Sequence, residues 1–195
     1  MEKIVYSSWI EVICGPMFSG KTDELLNRLN KIKYAKEKYI VFKPVIDTRT
    51  SGIIQSRTKK WDKAIEISDP KEIIQFLENS VEKYKVIAID EAQFLSYELV
   101  DVCMKLSKEK YHIIISGLDK NFKGEPFGST MPGLLAIADS VKKLSAACNV
   151  CGAYATFSKL IDDQEVKVKK DILIGDDDYY EARCYNHHDF KINKK

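Results

Sequence analysis

The sequence predicts an α/β protein: a central parallel sheet flanked by helices, followed by a small C-terminal unit. Three observations predict it. Apolar strand-like runs alternate with helical patterns from Trp9 to about Ser116. Those runs, such as Val86-Ile87-Ala88-Ile89 and Ile113-Ile114-Ile115, are unbroken in their hydrophobicity, as strands buried on both faces must be. The last fifty or so residues change character, with cysteines and histidines clustering there. We place the boundary between 1–143 and 144–195.

Trp9 to Cys14 reads as the first strand. Lys21 to Glu37 reads as a helix, because Leu25, Leu26, Leu29 and Ile32 fall on one face. Tyr39 to Phe42 is a second strand, ended by Pro44. Asp69-Pro70 is an N-cap followed by proline at the first helical position, opening a helix marked by Ile73, Ile74 and Leu77. Val86 to Ile89, Ser96 to Ser107 and Ile113 to Ile115 continue as strand, helix and strand. Thr156 to Lys170 alternates in a way that suits hairpin strands.

The chain has 195 residues, of which 45% are hydrophobic and 31% charged, enough to bury a core without disulfides. Thirty-one basic against 29 acidic residues leave a formal charge of +2. That balance argues against a protein devoted to gripping nucleic acid. No apolar run approaches the ~20 residues that span a bilayer. Met1 to Cys14 lacks the pattern of a signal peptide. The expectation is a cytoplasmic protein with its five cysteines reduced.

Gly15-Pro16-Met17-Phe18-Ser19-Gly20-Lys21-Thr22 matches G-x-x-x-x-G-K-[ST] between a strand and a helix. Glycines let the backbone curl so that N–H groups face phosphate oxygens, and the helix start adds its positive end. Lys21 supplies a point charge to the outer phosphates, and the Thr22 hydroxyl can ligate Mg²⁺. Asp90 and Glu91 follow an apolar strand. Asp90 suits the water shell of Mg²⁺, and Glu91 is free to act as a base. A glutamate here can activate water, giving an ATPase, or an alcohol, giving a kinase. The motif alone leaves both open.

Cys148-x-x-Cys151 and Cys184-x-x-His187 form two knuckles with zinc-ribbon spacing, and four such ligands argue a structural, tetrahedral Zn²⁺. His188 competes with His187 for the fourth position. Cys14 and Cys103 have no partner at knuckle spacing and read as packing residues.

Taken together, the phosphate loop, Lys43-Pro44-Val45-Ile46-Asp47-Thr48-Arg49, Asp90-Glu91-Ala92-Gln93-Phe94, the run Gly117 to Phe127, and Ala147-Cys148-Asn149-Val150-Cys151-Gly152 resemble the type II, cytosolic-type thymidine kinases. The resemblance runs from about Trp9 to His187. It implies a P-loop NTPase core with a zinc-ribbon and lasso domain that closes over the nucleoside. It implies transfer of the γ-phosphate of ATP, carried with Mg²⁺, to the 5′-hydroxyl of thymidine. Glu91 falls on the family's catalytic base. Arg49 falls on the basic residue facing the transfer centre, beside Asp47, although a surface turn salt bridge is the bland alternative for that pair. Gln93 is counted with the ATP-binding residues. Met17, Phe94, Leu118 and Phe122 match walls of the nucleoside pocket. Ser158 and Tyr180 match polar positions near the base, and Asp171-Ile172-Leu173-Ile174-Gly175 matches the loop that reads it through backbone groups. A homotetramer and feedback inhibition by thymidine triphosphate are also implied. The sequence departs from the family pattern at Tyr185, at Leu160, at Gly175-Asp176 and in the turn Ser56-Arg57-Thr58-Lys59. The runner-up is a P-loop ATPase whose zinc ribbon touches nucleic acid or protein.

Overall fold

The computed structural model describes residues 8–161 and 179–190. Strand β1 (Trp9–Cys14) leads through the phosphate loop into helix α1 (Lys21–Tyr34). Strand β2 (Tyr39–Pro44) follows, then three strands of three residues each, β3 (Ile53–Gln55), β4 (Trp61–Lys63) and β5 (Ile65–Ile67). Helix α2 (Lys71–Asn79), strand β6 (Val86–Ile89), helix α3 (Glu98–Lys108) and strand β7 (His112–Gly117) complete the expected alternation. Helix α4 (Thr130–Ile137) and strand β8 (Ser140–Lys143) come next. Four short strands end the described chain: β9 (Ala146–Ala147), β10 (Tyr154–Ala155), β11 (Phe157–Leu160) and β12 (Tyr180–Arg183).

Six strands form one sheet in the order β5-β2-β6-β7-β1-β8, with every pairing parallel. Both faces are covered, as the unbroken apolar strands require. Val86, Ala88, Ile114 and Ile13 turn to the face held by Leu25, Leu26, Leu29 and Ile32 of α1. Ile87, Ile89, Ile113 and Ile115 turn to the other, packed by Leu99, Val100, Cys103 and Leu106 of α3 and by Met131 and Leu134 of α4. Cys14 and Cys103 lie in this second core, and burial raises their thiols to about 11 and about 12, out of reach of ordinary reactivity.

The helix α1 ends at Tyr34 rather than Glu37. Lys36 adopts a left-handed φ of 58°, and Glu37 N–H closes the end on Ile32 O at 3.2 Å. At α2, Asp69 Oδ1 accepts the Lys71 N–H (2.8 Å) and Glu72 Oε1 accepts the Asp69 N–H (2.8 Å), a reciprocal cap one position outside the assigned helix. Of the stretch from Thr156 expected to supply hairpin strands, the described part does form an antiparallel strand. Phe157–Leu160 pairs antiparallel with the distant Tyr180–Arg183, because Phe157, Leu160, Tyr180 and Ala182 all have buried surfaces to satisfy. Residues 162–170 lie outside the described residues. Among the described residues, no helix is long and apolar enough to cross a membrane.

The parallel arrangement positions the site. Cys14 aligns with Gly117, and Ile89 aligns with both Phe42 and Ile115. The loops leaving β1, β2, β6 and β7 therefore emerge along one edge, the carboxyl edge where open parallel sheets bind ligands.

Candidate active site

The phosphate loop is held by its own backbone geometry. Gly15 has φ 147°, and a Cβ there would stand 2.5 Å from Leu144 O. Phe18, at φ 67°, is a left-handed residue with a side chain, a conformation that costs energy unless the surroundings impose it. Ser19 Oγ and Lys21 Nζ both donate to Pro16 O, at 2.8 and 2.9 Å. Ser158 Oγ accepts the Met17 N–H at 2.8 Å, tying the loop to β11. Lys21 is buried, and burial lowers its pKa while Glu91 and Asp90 oppose that shift.

Asp90 and Glu91 stand at the end of β6, both buried. Asp90 Oδ1 accepts the Ser116 hydroxyl and the Glu91 N–H (3.0 Å), and Oδ2 accepts the Thr22 hydroxyl at 3.2 Å. Burial, with the Glu91 charge beside it, raises the Asp90 pKa. Thr22 and Asp90 are thus the pair of oxygens that could share a Mg²⁺ shell.

Glu91 has φ 52°, and both of its carboxylate oxygens are hydrogen-bonded. Its Oε1 accepts Arg49 NH2 at 2.6 Å, and its Oε2 accepts Gln93 Nε2 at 2.5 Å. Burial would raise its pKa, but Arg49 and Lys21 outweigh burial and lower it. Arg49 Nε also donates to Asp47 Oδ1 at 2.6 Å, and Asp47 Oδ2 lies 3.0 Å from Lys43 Nζ. Arg49 is partly exposed, but Asp47 is buried and Arg49 also holds the buried Glu91, so the Asp47–Arg49 pair is more than a surface turn salt bridge; behind it, Lys43 is buried too. Together they form a chain of alternating charges from Lys43 through Asp47 and Arg49 to Glu91.

A cavity of about 230 Å³ opens above these groups. Lys21, Thr22, Arg49 and Glu91 line it, as do Met17, Phe94, Leu118, Phe122, Ser158 and Tyr180. Phe94 meets Phe127 edge-on at 5.8 Å. A slot with apolar walls on one side and the carboxylate of Glu91 among the cations Lys21, Arg49, Arg57 and Lys120 on the other is what this arrangement offers a ligand. Gln93 is not among the lining residues. Its amide is turned to Glu91 and to Leu118, whose N–H it accepts at 3.0 Å. Asp171, Ile172, Leu173, Ile174 and Gly175 lie outside the described residues.

Cys148, Cys151, Cys184 and His187 converge, with all four ligand atoms within 4.8 Å of one another. Cys151 Sγ is 3.8 Å from Cys184 Sγ, and His187 Nδ1 is 3.2 Å from Cys184 Sγ and 3.7 Å from Cys148 Sγ. A tetrahedral zinc with bonds of about 2.3 Å to sulfur has edges of about 3.8 Å, so the donor set fits that ion. Burial works against ionisation of Cys148, yet the backbone N–H groups of Cys184, Val150 and Cys151 lower its pKa. His188 is spent elsewhere: its Nε2 is 3.0 Å from Phe122 O and its ring stacks on Phe157.

With this geometry in view, comparison with known proteins is decisive. The thymidine kinase family model matches residues 8–188. The chain belongs to the thymidine kinase family. The thymidine kinase of Mycoplasma genitalium is 48% identical over 186 residues, covering 95% of this chain and 85% of that one. That of Ureaplasma urealyticum is 47% identical over 184 residues, covering 92% and 82%. That of Coprothermobacter proteolyticus is 44% identical over 192 residues, covering 97% and 94%. Among solved structures, domain III of the Thermotoga maritima replication initiation protein DnaA overlaps 71% of this chain and 56% of that one. Its TM-score of 0.43 at 15% identity carries no argument.

In this thymidine kinase family member, the departures at Tyr185 and Leu160 are packing choices. Tyr185 sets its ring edge-on against Phe157 at 4.8 Å, and Leu160 is buried opposite Tyr180. Sequence reasoning missed Asp23, Gln55, Ser56, Arg57, Lys120, Asn121 and Phe127 as cavity residues. Arg57 places its guanidinium 3.9 Å from the centre of the Phe18 ring, on a turn latched to α1 by Thr58 with Asp23 and by Lys60 with Asn27. The departure of this turn from the family pattern was the available signal.

Proposed function

We propose that this chain transfers the γ-phosphate of ATP to the 5′-hydroxyl of thymidine, giving thymidine monophosphate and ADP. The observation that carries the reading is one cavity lined by Lys21, Thr22, Arg49 and Glu91 together with the apolar walls Met17, Phe94, Leu118 and Phe122. Membership in the thymidine kinase family supports the choice of acceptor. The loop from Gly15 to Thr22, with Lys21, receives the donor's phosphates, in a core of the P-loop type. Thr22 and Asp90 would hold the Mg²⁺ that accompanies ATP, an ion that offsets charge on the phosphate oxygens.

Glu91 accepts the proton of the 5′-hydroxyl. The hydroxyl oxygen forms a bond to the γ-phosphorus, and the bond from that phosphorus to the oxygen it shares with the β-phosphate breaks. In a loose transition state the acceptor gives up its proton late, so a carboxylate of lowered pKa is base enough. Arg49 spreads its charge over the phosphoryl oxygens as they pass. If Arg49 released Glu91 to face the γ-phosphate, the larger of the two cationic influences that lower the Glu91 pKa would be lost, strengthening the base when it is needed.

Cys148, Cys151, Cys184 and His187 would hold a structural Zn²⁺, which supplies a rigid tetrahedral anchor. Residues 144–195 then act as a unit apart from 1–143, closing Ser158, Tyr180 and the loop Asp171 to Gly175 over the nucleoside. Family resemblance also supports a cytoplasmic homotetramer restrained by thymidine triphosphate.

Product analysis with Mg-ATP tests the reading. Thymidine monophosphate should form in step with ADP, and deoxycytidine and deoxyadenosine should accept little. ADP forming at the same rate without any nucleoside would overturn it in favour of an ATPase.

A further inference from the structure

Glu91 occupies a backbone conformation that side-chain-bearing residues avoid, at φ 52°. Two neighbours hold its carboxylate, one on each oxygen: Arg49 and Gln93. Arg49 faces the cavity and is positioned to leave Glu91 for a phosphate. Gln93 is not. It is buried behind Glu91, and both ends of its amide are committed. Nε2 donates to Glu91 Oε2, and Oε1 accepts the Leu118 N–H at 3.0 Å. Leu118 in turn lines the cavity. The residue before it is glycine for a reason on the same path: a Cβ on Gly117 would stand 2.8 Å from Gln93 Oε1 and 2.8 Å from Met131 Sδ.

We infer that Gln93 is a positioning residue for phosphoryl transfer, fixing Oε2 of Glu91 against the backbone of the pocket wall at Leu118. The inference rests on the reading of Glu91 as the base. Gln93 acts through Glu91 and Leu118 and touches no reacting atom. Its consequence is that Glu91 keeps its aim when Arg49 turns to the donor. It also links the wall that contacts the nucleoside to the group that takes its proton, through one amide.

The test uses Gln93→Met, which keeps the volume and removes both amide atoms, and Gln93→Glu, which can still accept from Leu118 but sets a carboxyl against Glu91. In Gln93→Met, kcat should fall about 10-fold or more, with the KM for ATP within about 2-fold of wild type. Removing a donor from an ionised carboxylate raises its pKa, so the acidic limb of the kcat profile should move to higher pH. Gln93→Glu should move it further. The charged groups facing Glu91 remain in both variants: Arg49, with Asp47 behind it, Lys21, Asp90, and Asp119 near Lys21.

Carboxyl ¹³C NMR, with the Glu91 signal assigned by Glu91→Gln, reads the same titration without any turnover. It should show the same upward move. A protein inactive on thymidine would sink the kinase reading, while the NMR shift would still decide the role of Gln93. A Gln93→Met protein that only melts earlier, with kcat, limb and NMR titration unmoved, would reduce Gln93 to packing. A rise in the KM for ATP with kcat unchanged would return it to the donor site.

Discussion

The phosphate-loop end and the cysteine end wall one cavity, but different forces hold them. The phosphate-loop end hangs on buried parallel strands, with isoleucine, valine and leucine packed on both faces of the sheet. Among the described residues the cysteine end shows two two-stranded pairs; Ala146, Cys148, Ala155, Ala182 and Cys184 cluster around the four ligands with Phe18 beside them, and the rings of Phe157, Tyr185, His188 and Phe190 pack against one another on the other pair. The small side chains of the cluster around the ligands remove less apolar surface from water than the isoleucines and leucines of the sheet. A metal held by the four converging side chains would add stability where that packing is thinnest. The lesson is a division of labour. On the proposed reading the chemistry sits where the sheet enforces position, and the nucleoside wall sits where a bound metal would tie the structure down.

Breaking the phosphate-loop end should have the largest effects. Lys43→Met removes a fully buried cation from Asp47 and from the carbonyls of Thr50 and Ile53. Uncoupling a buried ion pair this way costs about 3–5 kcal/mol, which urea unfolding would read. Glu91→Gln should lower turnover by about 10²-fold or more while ATP affinity stays near wild type, measured by steady-state kinetics and direct binding. Acid should weaken the same end. Burial works to raise the Asp47 pKa, but Arg49 and Lys43 outweigh it and lower the value. A folded pKa below the unfolded one gives stability that is complete above about pH 4 and lost as pH falls through the folded value. The urea midpoint should therefore drop with acid below about pH 4, and Asp47→Asn should flatten that drop. Where the two ends meet, Ser158→Ala removes one hydrogen bond to the phosphate loop, worth about 1 kcal/mol, and should raise the nucleoside KM only a few-fold.

The same contrast explains how much the sequence revealed. The strands Trp9–Cys14 and Val86–Ile89 were legible at their stated bounds because parallel burial leaves unbroken apolar runs. The phosphate loop, the acidic pair and the cysteine spacing were legible because their chemistry fixes residue types at fixed intervals. Helix α4 was not, because Pro132 and Gly133 read as breakers. The proline sits in the first turn, where a missing N–H is harmless, and Gly133 is needed where a Cβ would stand 2.8 Å from Tyr97 and Val100. Strands β3, β4 and β5 have three residues each, too short to show a period. The partners of Glu91 were hidden for a different reason. Gln93 lies only two residues on, but Arg49 reaches Glu91 from the loop after β2 through tertiary placement, which no local spacing encodes.

The most direct test of the two-part account is the binding of ATP and thymidine, each by calorimetry, to protein stripped of metal by a chelator. The account predicts that ATP affinity and the bulk of the helical signal persist while thymidine affinity falls about 10-fold or more. Thymidine binding that survives metal removal unchanged, or ATP binding lost along with it, would contradict the division between a sheet-held chemical end and a metal-held nucleoside wall.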